Sequence, residues 1–186
     1  DGSLRLLNFI YTSNDLPSVK INEALLNFSP KFVDLAKFDM QIGKSDIRMN
    51  GKLENFIPFV FQNETVRGSL AVNSNYLDVN EFTSGEKTEE EPVVEDTSAM
   101  GVVEVPGNIN FNLKVNMAHI LYDKLSINNL AGDLLVSNGI VDMKNLGMSL
   151  LEGSMVLSGR YDPQDIKAPK VNLDFNMKSI DIPSAF

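Results

Sequence analysis

His119 is the only histidine among the 186 residues, and there is no cysteine. A Ser-His-Asp triad or a histidine metal site would have to be built on that one imidazole, yet neither a G-x-S-x-G elbow nor an H-E-x-x-H motif accompanies it. His119 therefore reads as an ordinary strand or turn histidine. The absence of cysteine removes thiolate zinc sites, disulfides and cysteine nucleophiles. Carboxylates offer acid/base or calcium chemistry, because Asp34 and Asp142, and again Asp78 and Asp181, stand at matching places in two similar stretches. A catalytic group is seldom needed twice, so these acids are expected to cap turns or end strands. The run Glu89-Glu90-Glu91 belongs to a solvated linker rather than a cation site. No catalytic residue, metal ligand or cofactor is expected.

What remains is a surface. Across residues 140–161, a turn at Glu152-Gly153 would set Leu150 against Met155 and Met148 against Leu157, making one apolar face with Leu146. Asn145, Gly147, Ser149, Ser154 and Ser158 lie on the other face. Residues 32–55 align without a gap on 140–163, at an offset of 108. With Lys44-Ser45 as the turn, Ile42 faces Ile47 and Met40 faces Met49, and Phe38 stands where Leu146 does. Gly51 and Gly159 then sit opposite Phe38 and Leu146, leaving room for a large neighbour. Such faces form either the closed core of a sandwich or half-barrel or an open groove that shelters lipid acyl chains, and in the second case the lipid-facing candidates are Phe38, Met40, Ile42, Ile47, Met49, Leu146, Met148, Leu150, Met155 and Leu157. Seven of the eight methionines fall in predicted strands, which suits an adaptable apolar surface.

The rest of the chain repeats the theme. Leu4 to Thr12 is a strand, Val19 to Phe28 one or two short strands, and Asn55 to Phe61, interrupted by Pro58, an irregular segment or short helix. In Thr65 to Val79, Val66, Leu70, Val72 and Tyr76 point one way and Arg67, Ser69, Asn73 and Asn75 the other. Asn108 to Met117 alternates strictly, Ile120 to Leu135 holds two short strands broken near Asp123 and Gly132, and Val171 to Met177 is the last strand. An echo at offset 103 pairs Leu70 with Leu173. These patterns predict an all-β, curved antiparallel sheet, open or half-barrel, made of two related β units with few short helices. The first unit covers 1–82, an acidic flexible linker 83–105, and the second unit 106–186, all in one continuous domain.

Charge narrows the partners. A net charge of −9 argues against nucleic acid and against docking on anionic headgroups. Much of it is local, with six acids and one lysine between Gly85 and Ser98. No run approaches the roughly 18 apolar residues of a membrane span. Beginning at Asp1-Gly2 and ending at Phe186 soon after a strand, the chain reads as a piece of something longer.

The stretches Ile42-Gly43-Lys44-Ser45-Asp46-Ile47, Asn50 to Phe56, Val66-Arg67-Gly68-Ser69-Leu70 and Asn75 to Glu81 resemble the AsmA family as it occurs in Bacteroidetes. So do Val105-Pro106-Gly107-Asn108-Ile109, Gly159-Arg160-Tyr161-Asp162 and Ile180 to Phe186. The resemblance covers the whole chain and rests on structural punctuation. It implies a large envelope protein, anchored in the inner membrane, whose periplasmic body is related to repeating-β-groove proteins. Such bodies carry phospholipid or influence outer-membrane assembly, and the resemblance transfers no catalytic residues. The expected function is non-enzymatic and periplasmic, with phospholipid acyl chains and the remaining parts of the same protein as partners. The alternative is a structural or protein-interaction β module whose strand edges pair with other segments.

Overall fold

The structure is a computed structural model that describes residues 1–12, 17–83 and 102–179. It is one curved, unclosed sheet. Five antiparallel strands run in chain order: β1 (Gly2–Tyr11), β2 (Val19–Phe28), β3 (Phe32–Ile42), β4 (Ser45–Glu54) and β5 (Val66–Ser74). After a short strand β6 (Leu77–Asp78) and the one-turn helix α2 (Asn80–Thr83), a second antiparallel set follows. It comprises β7 (Ile109–Tyr122), β8 (Leu125–Ser137), β9 (Ile140–Leu150), β10 (Gly153–Asp162) and β11 (Lys170–Lys178). The two sets join where β5 pairs with β7 in parallel, so the antiparallel sheet contains one parallel seam. A parallel pair needs a long return connection, which the residues between Asp78 and Ile109 supply. The acidic run of the expected linker lies outside the described residues. Its last part does not, and the Tyr161 hydroxyl donates to the Val103 carbonyl at 3.1 Å.

Of the two forms expected for Asn55 to Phe61, irregular segment or short helix, the chain takes the second as α1 (Phe56–Gln62), with left-handed Asn55 and Asn63 at its two ends. Pro58 sits in the first turn, where its missing N–H costs nothing. β2 is a single strand, and β8 runs unbroken through Gly132. Tyr76 departs from the expected alternation. The strand bends after Ser74, because the Asp46 carboxylate accepts the Asn75 and Tyr76 backbone N–H groups at 2.9 and 2.7 Å. Tyr76 then stacks on His119 with ring centroids 5.4 Å apart.

Both hairpin registers differ from expectation by two residues. The β9–β10 turn is Leu151-Glu152, with φ of 47° and 61°, so Met155 faces Met148 and Leu157 faces Leu146. Gly153 is needed elsewhere: a side chain on it would press on the carbonyls of Lys178 and Ser179. In the first hairpin Met40 faces Ile47, Phe38 faces Met49 and Ile42 faces Ser45. Ser45 is drawn into the strand because its fully buried hydroxyl accepts the Asp78 N–H at 2.9 Å and donates to Glu81 at 2.7 Å. Side chains alternate with period two, so a slip of two leaves each residue on its expected face. A bulge in each hairpin shifts the register by one residue more, so Gly51 and Gly159 are opposite Leu35 and Met143, not Phe38 and Leu146.

Candidate functional site

Cross-strand partners share a face, so the registers can be followed from one edge of the sheet to the other. One row reads Leu4, Leu26, Leu35, Gly51, Leu70, Leu113, Leu134, Met143, Gly159, Leu173, crossing every long strand without a polar side chain. A second row reads Gly2, Phe28, Val33, Leu53, Gly68, Phe111, Val136, Val141, Tyr161, Val171. The opposite face is polar over the same span, from Ser3, Asn27, Asp34, Lys52 and Ser69 to Asn112, Leu135, Asp142, Arg160 and Asn172. At about 4.8 Å between neighbouring strands, a ten-strand row is about 43 Å long. An acyl chain filling one leaflet of a hydrocarbon core about 30 Å thick needs about 15 Å.

The ten candidate residues all lie on the apolar face. Leu146 and Met148 are buried, at 5% and 7% exposure, and with Val115 they form a cluster against which Leu150, Met155, Leu157 and Met143 pack. Phe38, Met40, Ile42, Ile47 and Met49 are half-buried. The middle of the face is therefore filled by its own side chains. Its two margins are open, with Leu4 and Phe9 exposed on β1 and Phe175 and Met177 on β11. Those marginal residues, and the central Leu70, Val72, Leu113 and Leu134, are missing from the sequence-derived set. Alternation within each strand marks them as apolar, but only the registers join them to the hairpins.

The polar break in the face is Ser74, paired with Met117 on β7. Its Oγ is buried and meets no hydrogen-bond partner among the described residues. Glu81 and Asn80 tie α2 to the β3–β4 and β7–β8 turns. The Glu81 carboxylate accepts the Lys44 N–H at 2.8 Å, and Asn80 Oδ1 accepts the Asp123 N–H at 2.8 Å.

On the polar face the acids have structural duties. Asp142 accepts two hydrogen bonds from Arg160, at 2.7 and 3.1 Å, and this guanidinium holds its carboxyl below the ordinary aspartate value. Asp34 accepts from Asn27 and is the register partner of Lys52. Each of these two acids is the third residue of its strand, β3 or β9, and instead of capping a turn it faces a cross-strand partner, Lys52 or Arg160. Asp78 behaves as expected, its Oδ1 accepting the Asn80 N–H at 3.1 Å. Asp181 lies outside the described residues. Lys37, and after it Arg5, hold Glu23 below the ordinary glutamate value. A shallow hollow of about 550 Å³ lies among Asn50, Ala71, Lys114, Asp133 and Lys144. Its lining also includes Gly51, Leu70, Leu113 and Leu134 of the first apolar row, and its lysines flank an aspartate of opposite charge in the cross-strand order Lys114, Asp133, Lys144.

His119 Nδ1 lies 2.8 Å from Asn128 Oδ1, on the polar face beside Tyr76. Among the described residues, no group of three or more acids and histidines is placed to hold a metal ion. None of the described helices is long and apolar enough to cross a membrane. Fold and face together define a one-sheet β protein with an apolar side that its own described helices leave uncovered at both margins. No family model matches the chain, and no curated protein or solved structure is similar to it.

Proposed function

We propose that this chain is a non-enzymatic segment of an AsmA-like periplasmic envelope protein, in which the apolar face shelters phospholipid acyl chains during lipid transport or outer-membrane assembly. The observation that carries the reading is the unbroken apolar row from Leu4 to Leu173. Burying a chain of about sixteen carbons is worth up to roughly 13 kcal/mol at about 0.8 kcal/mol per methylene, so even a partly open face can retain lipid. The recurrence of the β3 and β4 bounds 108 residues later, in β9 and β10, supports two related units laid side by side along one groove.

The test uses the open margin. Phe175 is 47% exposed on the apolar face, so Phe175→Asp leaves the fold intact while placing a charge in the path of a bound chain. Asn176→Asp adds the same charge to the polar face. Phe175→Asp should weaken binding of a fluorescent fatty acid at least tenfold and Asn176→Asp should not; equal binding by both variants and the parent refutes the groove.

One observation favours the interaction-module alternative. β1 is apolar on both faces, with Leu7 and Ile10 exposed opposite Leu6 and Phe9, and its outer edge has no strand partner among the described residues. Strands of that composition are normally covered on both sides.

A further inference from the structure

We propose that α1 is a bilayer-contacting tip, seating Ile57, Val60 and Phe61 in the interface of a neutral phospholipid membrane. The contact goes beyond the groove reading and draws on it only for the route lipid takes. Positions 57, 60 and 61 are spaced to share one face of the helix, and their side chains are 51%, 51% and 79% exposed. The other face carries Phe56 and Phe59, both half-buried. No charged residue occurs from Asn55 to Asn63, in a chain of which 22% is charged. A helix that is apolar all round belongs inside an apolar medium, yet this one stands at the rim of the sheet.

Size and charge decide what that medium is. Seven residues make a helix about 10 Å long that contains no i, i+7 pair of the kind by which helices anchor in protein grooves. Three side chains, the aromatic one contributing at most about 250 Å², fall well short of the roughly 800 Å² that each partner buries in a stable protein interface. A bilayer needs no complementary surface and covers every side of the tip. The uncharged helix and the net charge of −9 point to neutral rather than anionic headgroups. The apolar contact is also continuous with the groove. A cavity of about 390 Å³ beside the helix is lined by Phe56, Ile57 and Pro58 on one side and by Phe28 and Val33 on the other, with Ser29, Lys31 and Asn55 also in its wall. Phe28 and Val33 belong to the apolar row that ends at Val171.

The experiment is flotation of the chain with phosphatidylcholine vesicles at low and high salt, run beside fluorescent fatty-acid binding. The parent should float equally at both salt concentrations. Val60→Glu combined with Phe61→Glu should reduce the floated fraction at least tenfold, while Ile166→Glu, another exposed isoleucine, should not. All variants should keep the parent's circular dichroism and fatty-acid affinity. A parent that binds fatty acid but stays at the bottom of the gradient overturns the tip and leaves the groove standing. A parent that floats through α1 but binds no fatty acid refutes the groove and supports the tip. A double variant that floats like the parent, or that turns a dimeric parent monomeric, also overturns the proposal.

Discussion

Alanine at Gly159 should destabilise the protein by about 3 kcal/mol, and the geometry of β10 against β11 says why. Gly159 has φ of 159°, in a region that side-chain-bearing residues rarely adopt, and forcing one there costs about 1–3 kcal/mol. The added methyl would also fall on the Asn172 carbonyl oxygen and 2.8 Å from Leu173 Cδ2, overpacking worth a further 1–3 kcal/mol or so. Gly51 repeats the arrangement on β4, with φ of 148° and its missing methyl directed at the Ser69 carbonyl. Gly147 is the control, since a methyl there comes no closer than 3.9 Å to the Ala131 carbonyl, so Gly147→Ala should stay within about 0.5 kcal/mol of the parent. For a chain of this length about 3 kcal/mol lowers Tm by about 6–12 °C, easily read by thermal unfolding followed by circular dichroism. The two glycines lie in separate hairpins, so Gly51→Ala with Gly159→Ala should show the sum of the single losses. If Gly159→Ala cost no more than Gly147→Ala, the close approach of β10 to β11 would be wrong.

Met148→Asp puts an unpaired carboxylate in the buried cluster and should cost at least about 3 kcal/mol in urea unfolding, whereas Ser149→Asp on the polar face should be nearly neutral; equal losses would contradict the β9–β10 faces. Ser74→Ala removes a buried hydroxyl that has no partner among the described residues, so denaturation midpoints should rise or stay level, and a loss above about 1 kcal/mol would mean the hydroxyl is bonded. Asp142 titrates below its ordinary value because of Arg160, so the pair's stabilisation is complete above the usual carboxylate pKa and lost as pH falls through the depressed one. Asp142→Asn should therefore be less stable than the parent at neutral pH and converge with it in acid; a gap that persists below pH 2 would refute the assignment. Glu81→Ala should destabilise the β3–β4 turn by about 1–3 kcal/mol, since it strips partners from the Lys44 N–H and the buried Ser45 hydroxyl, and an unchanged midpoint would show that α2 does not hold the turn.

Which residues share a face was legible in the chain itself, because a side-chain period of two survives any even slip of register. Leu146, Met148, Met155 and Leu157 end up together whether the turn is placed at Glu152-Gly153 or at Leu151-Glu152. The bounds of the two hairpins were legible for the same reason, whereas Asn55 to Phe61, where Pro58 interrupts the aromatic run, could be read only as an irregular segment or a short helix. Registers were not, because they depend on groups distant in sequence. Gly153 leaves the turn because β11 passes close to it, and Ser45 leaves the turn because Asp78 and Glu81 bury its hydroxyl. The bend that turns Tyr76 onto His119 likewise hangs on the Asp46 carboxylate of another strand. The parallel seam of β5 with β7 leaves no local trace, since parallel neighbours are set by where a long connection returns. Local alternation thus determined that this protein has one wet and one greasy side. Only the tertiary pairing decided that one apolar row on the greasy side runs unbroken across ten strands, and that this side is packed shut at Leu146 and Met148 and open at β1 and β11, because continuity and burial arise between strands that the sequence keeps far apart.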